Sequence, residues 1–180
     1  MPSLDLRARP AATDYPTFAA GYVACVPDVD VIAALRDGGR ALLATVAGIP
    51  EERGGFCYAD DKWTIREMLG HVIDAERIFT YRALRIARGD ATPLPGFEEN
   101  AYVTMAGSDA RTLAGLATEF EAVRLASVLL FESLPGDAWS RRGSVNGSDV
   151  TVRALAFIAA GHAMHHRRIL RERYLEQVRT

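Results

Sequence analysis

Cysteine is scarce in this chain: 180 residues hold only Cys25 and Cys57. They form no Cys-x-x-Cys, which argues against a redox motif and against a disulfide framework. An excess of positive charge is also missing. Lys and Arg number 21 against 23 Asp and Glu, giving a net charge of −2. Nucleic-acid binders usually show a basic face or a recognition motif, and neither is present. The densest basic run, Arg167-Arg168-Ile169-Leu170-Arg171-Glu172-Arg173, is broken by Glu172 and reads as a solvated helix face. No stretch approaches the ~18 apolar residues that a membrane span needs. The N-terminal Met1-Pro-Ser-Leu-Asp-Leu-Arg lacks the apolar segment of a signal peptide, so a cytoplasmic protein is expected. Internal repeats and alternating strand patterns do not stand out either.

What the chain does have is apolar residues at helical spacing. Half of it is hydrophobic (49%), enough for a globular core. Residues 1–27 are punctuated by Pro2, Pro10, Pro16 and Pro27 and carry Tyr15, Phe18 and Tyr22, which predicts an extended arm laid on the domain. A first long helix is predicted over 29–47, capped by Asp28 or Asp30 and stopped by Gly48 and Pro50. A second runs about 63–88, and a capping box of Thr64 and Glu67 places its true start near 65. The connection over 90–110 is long enough to be functional, and Phe97–Tyr102 can hold a helical turn or two. Ser108 or Asp109 caps a third helix, about 110–134, and the polar, Gly-rich stretch 136–149 leads to a fourth from Thr151 to about 176. Four long amphipathic helices around one core predict an all-α four-helix bundle, with a crossover between the second and third.

The four histidines fall in two places. His71 is alone on the second helix. His162, His165 and His166 cluster on the fourth, in Gly161-His162-Ala163-Met164-His165-His166. Residues three or four apart on a helix share a face. The apolar stripe runs through His166, so His162 and His166 form the better inward pair, with His165 at its margin. With His71, they are the ligand supply of an open metal site, one that leaves a coordination position for chemistry. Imidazole suits zinc, nickel, iron and copper alike. The alternative is a set of hydrogen-bonded core histidines. There is no His-Glu-x-x-His, since Ala163 and Met164 follow His162, which argues against a metalloprotease.

Three segments carry a resemblance. Trp63-Thr-Ile-Arg-Glu-Met-Leu-Gly-His71 and its continuation to Asp90 resemble the second helix of the DinB-like (DinB/YfiT-like) metalloenzyme family. Pro93-Leu-Pro-Gly-Phe97-Glu-Glu-Asn-Ala-Tyr102 resembles the following connection in one subgroup, and Gly161-His162-x-x-His165-His166 resembles the last-helix signature. The resemblance spans about 15–175. It implies a single domain over 1–180, a bundle in up-down-down-up order, and a homodimer. It implies a divalent metal ion, zinc or nickel foremost, held by His71, His162 and His166, with His165 the extra histidine that is not counted as a ligand. Better-understood relatives are S-transferases that use a low-molecular-weight thiol, mycothiol or bacillithiol, and a maleylpyruvate isomerase.

Three functions are therefore carried forward, in this order. The first is a metal-dependent, thiol-dependent transferase acting on a small electrophile. The second is a metal-dependent hydrolase, which needs a carboxylate near the metal; Glu67, Asp74 and Glu98 are the candidates. The third is a non-enzymatic metal-binding bundle. Glu67 and Asp74 read more simply as partners of Arg66 and Arg77, and Glu98, Glu99, Asn100 and Tyr102 as a surface turn or the mouth of a pocket. Glu76 lies toward the apolar stripe and needs a partner, such as Arg153 or a backbone group. Tyr22 and Trp63 read as core aromatics or pocket walls. Nothing around Cys25 or Cys57 marks a nucleophile.

Overall fold

The computed structural model describes residues 7–175. The first six residues of the expected arm and residue 176 of the expected last helix lie outside them. Four long helices form: α2 (Val31–Ala47), α3 (Ile65–Ala87), α5 (Leu113–Glu132) and α6 (Val152–Ile169). Two short ones accompany them, α1 (Ala20–Cys25) and α4 (Glu99–Ala106). Each of α2 and α3 packs against both α5 and α6. α2 thus sits diagonally from α3 and α5 diagonally from α6, and the long α3–α5 connection joins neighbouring corners.

The caps explain most boundaries. The Asp30 carboxylate accepts the N–H groups of Ile32 and Ala33, so Asp30 rather than Asp28 opens α2. Thr64 and Glu67 form the expected capping box: Oγ1 of Thr64 accepts the Glu67 N–H, and Oε2 of Glu67 accepts the Thr64 N–H. The third long helix departs from expectation. Thr112 caps it, and Glu51 also accepts the Leu113 N–H. Ser108 and Asp109 are used elsewhere: Ser108 is buried, and Asp109 accepts the Thr64 hydroxyl at 2.6 Å.

Two further departures bear on the site. The arm is not simply extended; it contains α1, whose Tyr22 carbonyl lies against Gly161 of α6. A Cβ at Gly161 would stand 1.9 Å from that oxygen, so only glycine admits α1 this close. Residues 142–151 form a β-hairpin, β1 (Arg142–Val145) and β2 (Ser148–Thr151), paired Val145 to Ser148 and Arg142 to Thr151. Asn146 (φ 49°) and Gly147 (φ 72°) make its two-residue turn, the Asn-Gly combination that favours such hairpins. Leu94 bridges to β1: its N–H donates to Ser144, and its carbonyl accepts from Asn146. The hairpin thereby holds the crossover so that Gly96–Glu99 lies along α3.

The core has two apolar regions. One gathers Phe131, Trp139, Phe157 and Leu155 with α1 and part of α2; the other gathers Leu42, Ile65, Leu69, Phe120 and Leu170. Between them α6 is buried almost all round, with Ala154, Ala156, Ala159, Ala160, Gly161 and Ala163 keeping it slim. No helix among the described residues is long and apolar enough to cross a membrane.

Candidate metal centre

His71 faces α6 from α3, and His162 and His166 face α3 from successive turns of α6. All three are buried. Their ring nitrogens converge: Nε2 of His162 lies 3.0 Å from Nε2 of His71 and 3.2 Å from Nε2 of His166. All three lie within 4.8 Å of one another. Two imidazole nitrogens on one tetrahedral zinc ion, at ~2.0–2.1 Å each, stand about 3.3 Å apart. The spacing therefore fits a divalent ion. Hydrogen bonding alone suits it less well, because three neutral nitrogens crowded on one point have lone pairs to spare and few protons to share.

The electrostatics keep those lone pairs free. Burial pushes the His71 pKa down to about 4 and that of His166, helped by His71 and His165, to about 3. His162 is pushed well below the ordinary value by burial, then by His166, His71, His165 and Arg124. At neutral pH all three imidazoles are uncharged, the form that binds metals. The metal-free protein should show the consequence. Unfolded histidines take up protons near pH 6.5 and the folded ones do not, so the unfolded state binds more protons below that pH. Stability should fall as pH drops from 6.5 toward 3, by about 3 kcal/mol for His71 alone. Urea denaturation of metal-free wild type and of His162→Ala at pH 7.5 and 5.0 checks this, since the carboxylates common to both cancel. The variant should lose less stability on acidification; an equal loss would contradict the assignment.

Aromatic rings frame the cluster. Trp63 stands 4.6 Å from His71 between ring centroids, Tyr22 meets His162 edge-on at 5.2 Å, and Phe79 does so at 5.4 Å. His165 is only partly buried, lies 5.4 Å from Tyr22, and points away toward Arg168, outside the convergent set. Two cavities flank the histidines. The larger, about 450 Å³, reaches His71 and His162 and is walled by Tyr22, Phe79, Arg82, Phe97, Glu98 and Glu99. The smaller, about 230 Å³, reaches His166 past Trp63, Met68, Asp61, Lys62 and Tyr174. The start of α4 divides them, with Glu99 on one side and Asn100 on the other.

The carboxylates sort accordingly. Glu67 is held in its capping box, and Asp74 pairs with Arg77 at 3.5 Å. Glu98 caps α4 through the Ala101 N–H, yet lines the larger cavity. Glu99 lines it too, close enough that, after burial, its charge helps to raise the Tyr22 pKa. The partner of Glu76 is Arg124, at 3.0 Å; Arg153 pairs instead with Asp14. Cys25 and Cys57 are free thiols at neither cavity wall. Phe79 and Arg82 escaped the sequence reading as site residues, although they follow His71 by eight and eleven positions on the same face of one helix.

A family model described as the DinB superfamily matches residues 34–170, a span that includes all three convergent histidines. No curated protein matches the chain in sequence. Among solved structures, the fold is similar to that of YfiT from Bacillus subtilis, described as a probable metal-dependent hydrolase with an unusual four-helix bundle topology. The TM-score is 0.73 at 14% identity, covering 98% of this chain and 99% of that one.

Proposed function

The chain belongs to the DinB superfamily, and we propose that it is a metal-dependent hydrolase of small molecules, with His71, His162 and His166 holding the ion. One observation carries this reading: three imidazoles converge, and two of them, His71 and His162, open on a cavity whose wall also bears Glu98 and Glu99. When bound, a divalent ion such as zinc or nickel supplies Lewis acidity, polarising an electrophilic carbonyl or phosphoryl group and making water acidic near neutral pH. The protein's own groups do the rest. Glu98 is occupied by amide donors of α4, so Glu99 is the carboxylate left to accept a proton from water. Tyr22, its pKa raised, stays a hydroxyl and can donate to a developing oxyanion. Phe79, Phe97 and Trp63 exclude bulk water and strengthen both interactions.

The description of YfiT as a hydrolase supports water as the nucleophile. Thiol transfer, first in order from the resemblance alone, finds no comparable support: the cavity walls offer no feature specific to a thiol cofactor. Up-down-down-up order belongs to the same proposal, supported by the diagonal placement of α2 against α3. So do a cytoplasmic location and a homodimer. Tyr15 and Tyr22 of the arm pack on their own core, while Phe18 stays exposed and leaves the arm available as a dimer contact. Tyr81, Leu84, Leu125 and Leu129 give α3 and α5 a second exposed apolar surface.

The test uses zinc- or nickel-loaded protein against chromogenic esters, amides and lactones. Turnover should vanish on chelation and return with metal. Glu99→Gln should lower kcat by about 10²-fold or more, the usual worth of a positioned base, with metal content unchanged. Conjugation of mycothiol or bacillithiol to 1-chloro-2,4-dinitrobenzene in place of hydrolysis would replace this reading with transfer. Metal binding that raises only thermal stability would make the bundle non-enzymatic.

A further inference from the structure

Arg82 is a buried cation, 8% exposed, on the wall of the cavity that reaches His71 and His162. Its Nη2 donates to the Pro95 carbonyl at 2.7 Å, and its guanidinium carbon lies 5.7 Å from the centre of the Phe97 ring. Among the described residues no carboxylate pairs with it. Burying a charge without a counter-ion is costly, and burial accordingly lowers the Arg82 pKa. The other buried arginine among the described residues contrasts with it: Arg124, comparably buried, has Glu76.

The placement is directional. Arg82 follows His71 by eleven residues, which is three helical turns plus about 20°, so the two side chains project from one line along α3. The axial rise between them is roughly 16 Å. Both side chains lean toward the helix's N-terminus, and the longer arginine leans further, which leaves a span on the order of 10–15 Å. Phe79 and Phe97 line the stretch between. Of the two acids on the wall, Glu98 is bound by the α4 amides, and Glu99 lies by Tyr22 at the histidine end.

We propose that Arg82 is the anion anchor of this cavity, so that the substrate is an elongated molecule with a carboxylate or phosphate at one end, an apolar body, and its reacting bond at the histidines. The role of the histidine end rests on the hydrolase reading; the anchor does not. A planar guanidinium suits either anion by two parallel hydrogen bonds. The apolar body fills the space between Phe79 and Phe97, and the remote charge fixes which bond reaches the reacting end.

Calorimetric titration of the full-length, metal-free protein separates the two ideas, because no turnover is needed and no metal competes for the anion. The probes are 4-phenylbutyrate, its uncharged amide, and 4-phenylbutyl phosphate. Wild type should bind the carboxylate or the phosphate at least tenfold more tightly than the amide, and the tighter of the two names the anion. Arg82→Met should lose that preference. Arg82→Lys, which retains the charge, should keep most of it, and His162→Ala should keep it as well. Equal binding of acid and amide by wild type, no binding of either anion, or an acid preference that survives in Arg82→Met would overturn the anchor. A catalytically inert protein that still shows the preference would remove the hydrolase reading and leave the anchor standing.

Discussion

His162→Ala abolishes stabilisation by zinc or nickel. His162 is the hinge of the cluster: its Nε2 is the atom closest to both others, at 3.0 and 3.2 Å. Without it, His71 and His166 face each other on different helices with the bridging ligand gone. A ligand present at a thousand times its dissociation constant stabilises the folded state by about 4 kcal/mol. Wild type should show a metal-dependent rise in Tm of about 10 °C, the equivalent for a domain of this size, and the variant almost none. Loss of hydrogen bonds beyond the ligands typically weakens metal sites 10- to 100-fold, so removal of a ligand should weaken this one by more. His165→Ala is the control: its ring lies outside the convergent set, and metal stabilisation should persist. A His162→Ala protein that gains as much Tm as wild type would show that these rings do not hold the ion.

Arg124→Met costs about 3–5 kcal/mol of folding stability, the range for stranding one member of a buried ion pair. Arg124 joins four helices at one point. It pairs with Glu76 of α3 at 3.0 Å, donates to the Leu35 carbonyl of α2 at 3.0 Å, and reaches the Ala159 carbonyl of α6 at 3.4 Å. Glu76 is five residues beyond His71, and Ala159 three before His162, so the pair fixes the two helices that carry the site. Burial pushes the Glu76 carboxyl pKa up, and Arg124 draws it back. Removing the guanidinium therefore leaves a carboxyl that must bury its charge or take a proton. The double variant Glu76→Leu with Arg124→Met should recover much of the loss, since an apolar pair has no charge to strand. Urea denaturation of the two single variants and the double checks it. A double variant as unstable as the sum of the singles would mean that Arg124 matters through packing against Phe120 rather than through charge.

The long helices were legible because periodicity and capping agree on them. Thr64 with Glu67 marks the start of α3 by a local bond that any reader of the sequence can draw. The start of the third helix is not legible locally, because Ser108, Asp109 and Thr112 are all good capping residues and only Thr112 caps it. The choice was made by Thr64, forty-five residues earlier, whose hydroxyl takes the Asp109 carboxylate. The hairpin was missed although its signal was present. Asn146-Gly147 is a strong turn pair, but four-residue strands between arginines and serines give no alternation to notice. At the site, the three histidines were legible through their spacing. Arg82 was not, because an arginine eleven positions on reads as a solvated residue until the crossover closes over it. Glu99 was legible as a surface turn or the mouth of a pocket, and the pin between Leu94 and β1 brings it to the cavity wall.

The central claim is that three buried, neutral histidines form an open metal centre. Elemental mass spectrometry on full-length protein purified without a histidine tag tests it most directly. Near-stoichiometric zinc or nickel, falling to background in His162→Ala, is the predicted result. No bound metal after incubation with zinc, nickel, manganese and iron salts would contradict it, and would leave His71, His162 and His166 as core residues.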